Sequence, residues 1–260
     1  MGGYRDVSDE IFTKLLRCRI DLFKEILEGY GGGIDLGPTN NTVEYQNKLV
    51  SNPIKFVKEV MTNGSGEPPE PIDFSQVKAL ASGVQLCVST KYTKPRNAKI
   101  EYLVIHYTAG GNSKPGTAKR TCEMWMASDR PASADFVVDD ETIYQYNPDP
   151  AKFCCYAVGK PKPGVPYKMN NCVSIEVCSS FDKKRGKSPA NANDPGWYFT
   201  PATLGNAIKL SKELMSKYSI PKSNVIRHYD VSGKLCPGII GWNPESGSES
   251  EWHKFKNMLA

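Results

Sequence analysis

The stretch EYLVIHYTAGG at residues 101–111 decides the fold class of this chain. Its centre, YLVIHY, is a short continuous apolar run typical of a buried strand, and a Gly-containing loop follows it directly. The stretch NVIRHYDVSGKLCPG at residues 224–238 has the same organisation, because an apolar strand again ends beside a histidine and a loop. Sites in α/β proteins gather where strands end and loops begin. His106 and His228 are therefore the first candidate functional residues.

Strands alternate with helices in the sequence around these two stretches. A hairpin is predicted at 135–146, where apolar segments flank a tight Asp-containing turn. Thr200 and Pro201 form a typical N-cap and first helical position, and they open a helix that we predict to end near Tyr218. The other predicted elements are a helix at 117–128, a strand at 171–178, a strand at 224–229 and an amphipathic closing helix at 250–259. This order predicts an α/β fold with a mixed central β-sheet flanked by helices.

The N-terminal part of the chain has helical periodicity. Residues 9–28 place apolar side chains at helical spacing, and a second helical stretch at about 42–61 is interrupted at Pro53. The run TNGSGEPPEP at 62–71 has the composition of a linker. We therefore expect a small helical N-terminal domain at 1–62, a linker at 63–80 and the α/β domain at 81–260. Since so small a domain is only marginally stable alone, we expect it to dock or to self-associate.

Composition and charge exclude several classes of protein. Hydrophobic residues make up 39% and charged residues 23% of the chain, which excludes a disordered, collagen-like or coiled-coil protein. No apolar run approaches the ~18 residues of a membrane span. The net charge of +5 suits either an anionic polymer partner or ordinary solubility, and no segment is basic enough to predict nucleic-acid binding. The N-terminus lacks the basic-then-apolar pattern of a secretory signal peptide, so we expect synthesis in the cytoplasm.

Eight cysteines are spread along the chain without any CxxC pair. The missing pair excludes a zinc ribbon and a thioredoxin motif. In a chain of this length with no predicted signal peptide, we interpret these cysteines as mostly reduced thiols that pack as small hydrophobic residues.

Two histidines and one cysteine form a candidate metal site. Cys236 follows His228 by eight residues, which is enough for a loop to fold back beside the strand. With His106, these residues would form a three-ligand zinc site whose fourth position stays open, the pattern of catalytic zinc. The alternative is that the three residues are unrelated, since their spacing alone does not specify a site. The remaining histidine, His253, lies in a polar helix and is predicted to be on the surface.

Glu176 and Lys234 are candidates for the other groups that a zinc hydrolase needs. Glu176 interrupts an apolar strand, where a carboxylate is costly to bury unless it has a function. The alternative is a carboxylate that pairs with a nearby Lys or Arg. Lys234 stands two residues before Cys236, where its ammonium could stabilise the charge of a tetrahedral intermediate; the alternative is a solvated loop lysine.

The same strand divides its side chains between two faces. By the period of two, Glu176 shares one face with Cys172, Ser174 and Cys178. The three aliphatic residues of the opposite face are predicted to be core: Val173, Ile175 and Val177.

Five segments carry a family resemblance: EYLVIHYTAGG, ASADFVVDDETIYQY, NNCVSIEVC, FTPATLGNAIKLSKEL and NVIRHYDVSGKLCPG. In this order they resemble the zinc-dependent N-acetylmuramoyl-L-alanine amidases of the type 2 family, which includes phage endolysins, bacterial autolysins and the peptidoglycan recognition proteins. The resemblance covers about residues 85–260. It implies a mixed central sheet flanked by helices, and hydrolysis of the amide between N-acetylmuramic acid and the L-alanine of the stem peptide in peptidoglycan.

The resemblance also implies roles for individual residues. The equivalents of His106, His228 and Cys236 hold the zinc ion. The equivalent of Glu176 acts as general base and proton shuttle, and the equivalent of Lys234 helps to stabilise the oxyanion.

Three further residues are predicted to bind substrate: Thr108, Trp197 and Tyr198. The last two close an insertion at 181–199, FDKKRGKSPANANDPGWYF, which directly follows the Glu176 strand. We predict that this insertion forms a basic rim near the cleft. The alternative is an ordinary solvated loop.

The chain departs from the family pattern at two places. Some phage members have a catalytic tyrosine at the position of Ala134, so that role is absent here and Glu176 carries more of the predicted proton transfer. Where endolysin relatives often have Trp-His-Cys-Gly after the hairpin, this chain has Phe-Cys-Cys-Tyr at 153–156. We therefore expect different substrate contacts from the loop that follows.

Three functions remain open at this stage. The first is a peptidoglycan amidase, either a phage endolysin that reaches the wall by holin-type export or lysis, or a bacterial autolysin. The second is a non-catalytic peptidoglycan-binding protein, and such proteins usually lose the cysteine ligand that Cys236 supplies here. The third is a cytoplasmic amidase of muropeptide recycling, whose third ligand is typically aspartate.

Overall fold

The computed structural model describes residues 77–259. The predicted N-terminal helical domain at 1–62, its self-association and most of the predicted linker lie outside the described residues. The strands are β1 (Val84–Leu86), β2 (Thr93–Pro95), β3 (Tyr102–Tyr107), β4 (Phe136–Val138), β5 (Ile143–Gln145), β6 (Phe153–Cys155), β7 (Cys172–Val177), β8 (Ser180–Phe181), β9 (Trp197–Tyr198) and β10 (Val225–Arg227). The α-helices are α1 (Thr117–Ala127), α2 (Pro201–Tyr218), α3 (His228–Ser232) and α4 (Ser250–Asn257).

A six-stranded mixed sheet forms the centre of the fold, in the order β1-β5-β4-β7-β3-β10. Only the β4–β5 hairpin is antiparallel, and the other neighbouring strands of this sheet run parallel. Two small antiparallel pairs, β2–β6 and β8–β9, lie outside it. The predicted mixed sheet and the predicted hairpin are confirmed.

Helices cover both faces of the sheet. The aliphatic face of β7 packs in the main core with residues of α2 and α4, and the prediction that Val173, Ile175 and Val177 are core residues is confirmed. Residues of α1 pack on the other face, against β4 and β5. Because side chains alternate along a strand, this second face also receives His106 and Glu176.

The longest helix begins where the sequence predicts it. The Thr200 hydroxyl accepts a hydrogen bond from the Thr203 amide, and Pro201 occupies the first turn. The helix ends at Tyr218, beyond which Ser219 adopts a left-handed conformation. The cap defines where α2 begins. The apolar face of α2 packs on the face of the sheet opposite His106 and Glu176.

The last strand is shorter than predicted. β10 ends at Arg227, and His228 is the first residue of the short helix α3, so the predicted strand at 224–229 is wrong at its end. The physical reason is a local cap: the Asp230 carboxylate accepts hydrogen bonds from the Arg227 amide (2.8 Å) and from the Arg227 guanidinium (2.7 and 3.0 Å). Within residues 77–259, no helix combines the length and the apolarity needed to cross a membrane.

Candidate metal centre and cleft

Three neighbouring parallel strands bring the predicted site residues to one edge of the sheet. His106 lies near the carboxyl end of β3, and Glu176 is its partner across the β3–β7 pair. On the other side of β3, Arg227 is opposite Ile105, so His228 follows directly where β10 ends. Residues between 52 and 122 positions apart in sequence therefore meet because all three strands run in the same direction.

Cys236 reaches the same place by a turn. Its carbonyl accepts a hydrogen bond from the Tyr229 amide (3.0 Å), which returns the chain to the start of α3. The Cys236 sulfur lies 3.7 Å from Nδ1 of His106. The three candidate ligand atoms of His106, His228 and Cys236 all lie within 4.8 Å of one another, and all three side chains are buried.

Both imidazoles are held in the neutral form that metal ions bind. Burial lowers the pKa of His106 well below its ordinary value, with further lowering by His228 and Lys234. Burial and Lys234 also lower the pKa of His228 to about 4, although a hydrogen bond to the Val158 carbonyl opposes this. That hydrogen bond engages one ring nitrogen and leaves the other for a ligand.

The chemistry of the donor set fits a zinc ion. Two imidazoles and one sulfur are the ligands of an open zinc site. Nε2 of His106 is buried and has no hydrogen-bond partner within residues 77–259. Burial, together with Glu176, raises the pKa of the Cys236 thiol, against the lowering effects of the Tyr107 amide and Lys234. The thiol must therefore release its proton when a metal binds.

Glu176 is a half-buried residue without an ion-pair partner in the described part of the chain. Its Oε2 atom makes no hydrogen bond there either. Burial raises the pKa of Glu176 to about 8, and the charge of Lys234 partly opposes the increase. An uncompensated buried carboxyl costs folding free energy, which favours a functional role over the alternative of a structural ion pair.

Lys234 is exposed and lines the same cleft as Glu176 and the three candidate ligands. Its charge influences every one of them: it lowers the pKa of both histidines, of Glu176 and of the Cys236 thiol. The Lys234 ammonium is therefore close enough to act electrostatically on all four of these groups.

The cleft above these residues has a volume of about 720 Å³. One wall is the face of α1 that carries Thr117, Thr121 and Met124, spaced as neighbours on a helix surface. Further lining comes from loops that include Arg130 and Lys160. The cleft is large enough for a sugar and part of a peptide, by the sizes usual for ligand sites.

The predicted substrate-binding residues have different positions. Thr108 lines the cleft, and its hydroxyl accepts hydrogen bonds from the Gly110 and Ser179 amides (both 3.3 Å). Trp197 does not: it is 3% exposed, packs edge-to-face with Tyr107 and Phe181, and donates from Nε1 to the Asn191 carbonyl. The Trp197 ring belongs to the core and not to the lining of this cleft, and its contact with substrate stays a prediction.

Tyr198 pairs with Ser180 in the β8–β9 ribbon and does not line the cleft either. The insertion that carries both aromatic residues is a folded excursion between β8 and β9. Its lysines, Lys183, Lys184 and Lys187, are exposed, but they do not line the cleft.

A sequence profile of the family described as N-acetylmuramoyl-L-alanine amidase (Amidase_2) matches residues 96–239. This match spans more than half of the 260 residues. The chain belongs to the Amidase_2 family. The resemblance drawn from the five sequence segments is confirmed, and the matched region contains all three candidate metal ligands.

Individual relatives of this Amidase_2 member are bacterial proteins. The N-acetylmuramoyl-L-alanine amidase CwlL of Bacillus licheniformis is 24% identical over 183 residues, which cover 65% of this chain and 44% of that protein. The N-acetylmuramoyl-L-alanine amidase CwlH of Bacillus subtilis (strain 168) is 28% identical over 144 residues, which cover 55% of this chain and 50% of that protein. The chain thus spans about half the length of the curated relatives it matches.

Among solved structures, that of PlyL aligns over 68% of this chain and 94% of the PlyL chain, with 26% sequence identity and a TM-score of 0.47. The N-acetylmuramoyl-L-alanine amidase LysC from Clostridium intestinale URNW covers 68% of this chain and 96% of its own, with 24% identity and a TM-score of 0.42.

Sequence reasoning missed the cleft wall that α1 supplies to this Amidase_2 member. Thr117 and Thr121 are partly exposed and Met124 is exposed. The three side chains share one helix face, and a helical wheel could have grouped them. Nothing local in the sequence says that this face borders the site, because that depends on how α1 lies on the sheet.

Proposed function

We propose that the chain is a zinc-dependent N-acetylmuramoyl-L-alanine amidase that acts on peptidoglycan. The observation that carries the proposal is the convergence of two neutral imidazoles and a thiol within 4.8 Å, in the cleft of an Amidase_2 domain. Such a donor set binds zinc and leaves room for a further ligand. His106, His228 and Cys236 would hold the ion.

A zinc ion bound there supplies Lewis acidity, polarising the scissile carbonyl and lowering the pKa of water to about 7. Glu176 accepts the proton that the attacking water loses. It returns this proton to the L-alanine nitrogen when the C–N bond breaks, so the products are a lactyl carboxylic acid, which then ionises in water, and a free amine. Burial raises the pKa of Glu176 from its ordinary value toward neutral pH, the direction that suits a group which first accepts and then donates a proton.

Lys234 supports the same step electrostatically. The lactyl carbonyl oxygen gains negative charge in the transition state, and a nearby ammonium lowers the free energy of that charge.

The complete donor set favours hydrolysis over simple binding of peptidoglycan. A module that only binds the wall has no need for a buried thiol beside two neutral imidazoles, or for an unpaired buried carboxylate. The third donor is a cysteine, whereas recycling amidases typically have an aspartate there. This favours a wall-degrading enzyme, either an endolysin or an autolysin, over a recycling amidase. Its route to the wall stays a prediction.

The test is analysis of the bond that is cut. Purified full-length protein, stripped of metal and then reloaded with zinc, is incubated with isolated cell walls, and the digest is analysed by mass spectrometry. We expect new L-alanine amino termini in the zinc-loaded sample only. New reducing sugars, cleavage within the stem peptide, or equal release by the metal-free protein would each overturn the proposal.

A further inference from the structure

Residues 182–196 of the insertion dock on the turn that carries Cys236. The Asn193 amide donates a hydrogen bond to the Gly238 carbonyl (2.8 Å), two residues after Cys236. Asn193 has a φ of 61°, a left-handed conformation that asparagine tolerates better than most residues. The loop therefore approaches the third candidate ligand through its backbone.

A pair of reciprocal amides reinforces this contact. The side-chain amide of Asn193 donates to Oδ1 of Asn243 (3.1 Å), and the amide of Asn243 donates to Oδ1 of Asn193 (2.8 Å). Asn243 is fully buried, and its Nδ2 also donates to the Pro237 carbonyl (2.8 Å). The two asparagines thus hold the carbonyls of both residues that follow Cys236.

The turn is also held from its other side. A Cβ atom added to Gly238 would collide with the Tyr107 hydroxyl and would lie 2.8 Å from the Cβ of Ala192. The segment after Cys236 therefore lies between the end of β3 and the insertion, with no free space on either side.

The insertion is itself well ordered by internal hydrogen bonds. The Asp194 carboxylate accepts from the amides of Lys187, Ser188 and Gly196, at 2.9 to 3.2 Å. The Asn191 carbonyl accepts from the buried Trp197 ring at 3.0 Å. These bonds fix Asn193 against the core.

We propose that Asn193, paired with Asn243, is a positioning residue for Cys236. His106 gains its place from the hydrogen-bond ladder of the sheet, and His228 begins a helix capped by Asp230. Cys236 lies in a turn outside both, where the Tyr229 amide holds its own carbonyl and the two asparagines hold the carbonyls of the two residues that follow it. Groups that orient a ligand in this way commonly change metal affinity 10–100-fold when they are removed. This inference rests on the proposed zinc function.

The test compares variants of the full chain. Asn193→Gly keeps the left-handed backbone accessible while it removes the amide pair. Asn193→Asp can still accept from Asn243 but cannot donate to it, so it should have an intermediate effect. Asn191→Ala is the matched control, because it removes the side chain of an exposed asparagine from the same insertion.

Two readouts are independent of activity. The first is zinc affinity, measured by competition with a chromophoric chelator. The second is the thiolate-to-cobalt charge-transfer band of the cobalt-substituted protein, which reports the geometry at the sulfur. We expect Asn193→Gly to weaken zinc binding about 10-fold and to alter the band, Asn193→Asp to lie between it and wild type, and Asn191→Ala to match wild type.

The outcomes separate this inference from the function on which it rests. A wild-type protein that binds neither zinc nor cobalt through a thiolate overturns both. A wild-type protein that binds both ions, with Asn193→Gly and Asn193→Asp equal to it in affinity and spectrum, overturns the positioning role alone. If Asn193→Gly does not fold, the Asn193→Asp variant gives the decision by the same two readouts.

Discussion

Glu176 lies directly opposite His106 in the parallel register of β7 and β3. This relationship places a buried carboxylate beside a candidate metal ligand although the two are 70 residues apart in sequence. The register follows from the core, because a shift by one residue would move the aliphatic side chains of β7 out of it. The packing of the core on one face of the sheet thus determines which residues lie side by side on the other face, where the candidate site is.

Replacing the carboxylate should separate metal binding from turnover. We expect Glu176→Gln to retain zinc, since Glu176 is not one of the converging donors, and to lose a factor of about 10²–10⁴ in kcat, the usual contribution of a positioned acid–base group. Metal content and the rate of muropeptide hydrolysis measure the two effects. The exposed Glu123→Gln serves as control, and a Glu176→Gln enzyme with wild-type turnover would show that the carboxylate is structural.

Removing the thiol should abolish zinc retention. Cys236→Ser leaves two imidazoles and a hydroxyl, a much weaker donor set for zinc than one that includes a thiolate. We expect the dialysed variant to contain little zinc and to release no L-alanine amino termini from walls. Cys154→Ser, another buried cysteine away from the cleft, is the matched control. Equal zinc content in the two variants would contradict the assignment of Cys236.

The insertion should lose stability in acid. Backbone hydrogen bonds from Gly196, Ser188 and Lys187 lower the pKa of Asp194 below its ordinary value of 3.8. The folded state therefore favours the charged form, and this stabilisation is complete above 3.8 and is lost as the pH falls through the lower folded-state value.

We expect Asp194→Asn to have a lower Tm than wild type at pH 7, and the difference between them to narrow below about pH 4. Thermal unfolding followed by circular dichroism from pH 7 to pH 3 measures it. The exposed Asp129→Asn should not reproduce the pattern. A Tm difference that stays constant down to pH 3 would refute the role of the Asp194 charge.

The cap of α2 offers a test of stability without a change in chemistry. The Thr200 hydroxyl accepts from the Thr203 amide and donates to Asp140. Thr200→Ala should reduce the free energy of unfolding by about 1 kcal/mol, whereas Thr200→Ser keeps the hydroxyl and should restore most of it. Because α2 packs on the face of the sheet opposite the cleft, kcat should be unchanged at temperatures where both variants are folded. Urea unfolding and wall hydrolysis provide the measurements.

Local patterns predicted the elements whose signals lie within a few residues. The apolar run at 102–107, the alternation in β7 and the Thr200–Pro201 cap each define their element without help from the rest of the chain, and the structure confirms them. The end of β10 was predicted wrongly because the Asp230 carboxylate caps a helix at His228, and the apolar pattern of the strand carries no sign of that cap.

The sequence by itself determined the alternation of strands and helices, the family resemblance and the identity of the candidate donors, since these depend on residue type and on short-range spacing. Only the tertiary structure decided that Glu176 lies across from His106 in the sheet, that Trp197 belongs to the core and that Asn193 forms a hydrogen bond with the turn after Cys236. The physical reason is that strand register, helix placement and loop docking are set by contacts between residues far apart in the chain. Their free energies depend on the assembled core and not on any single segment.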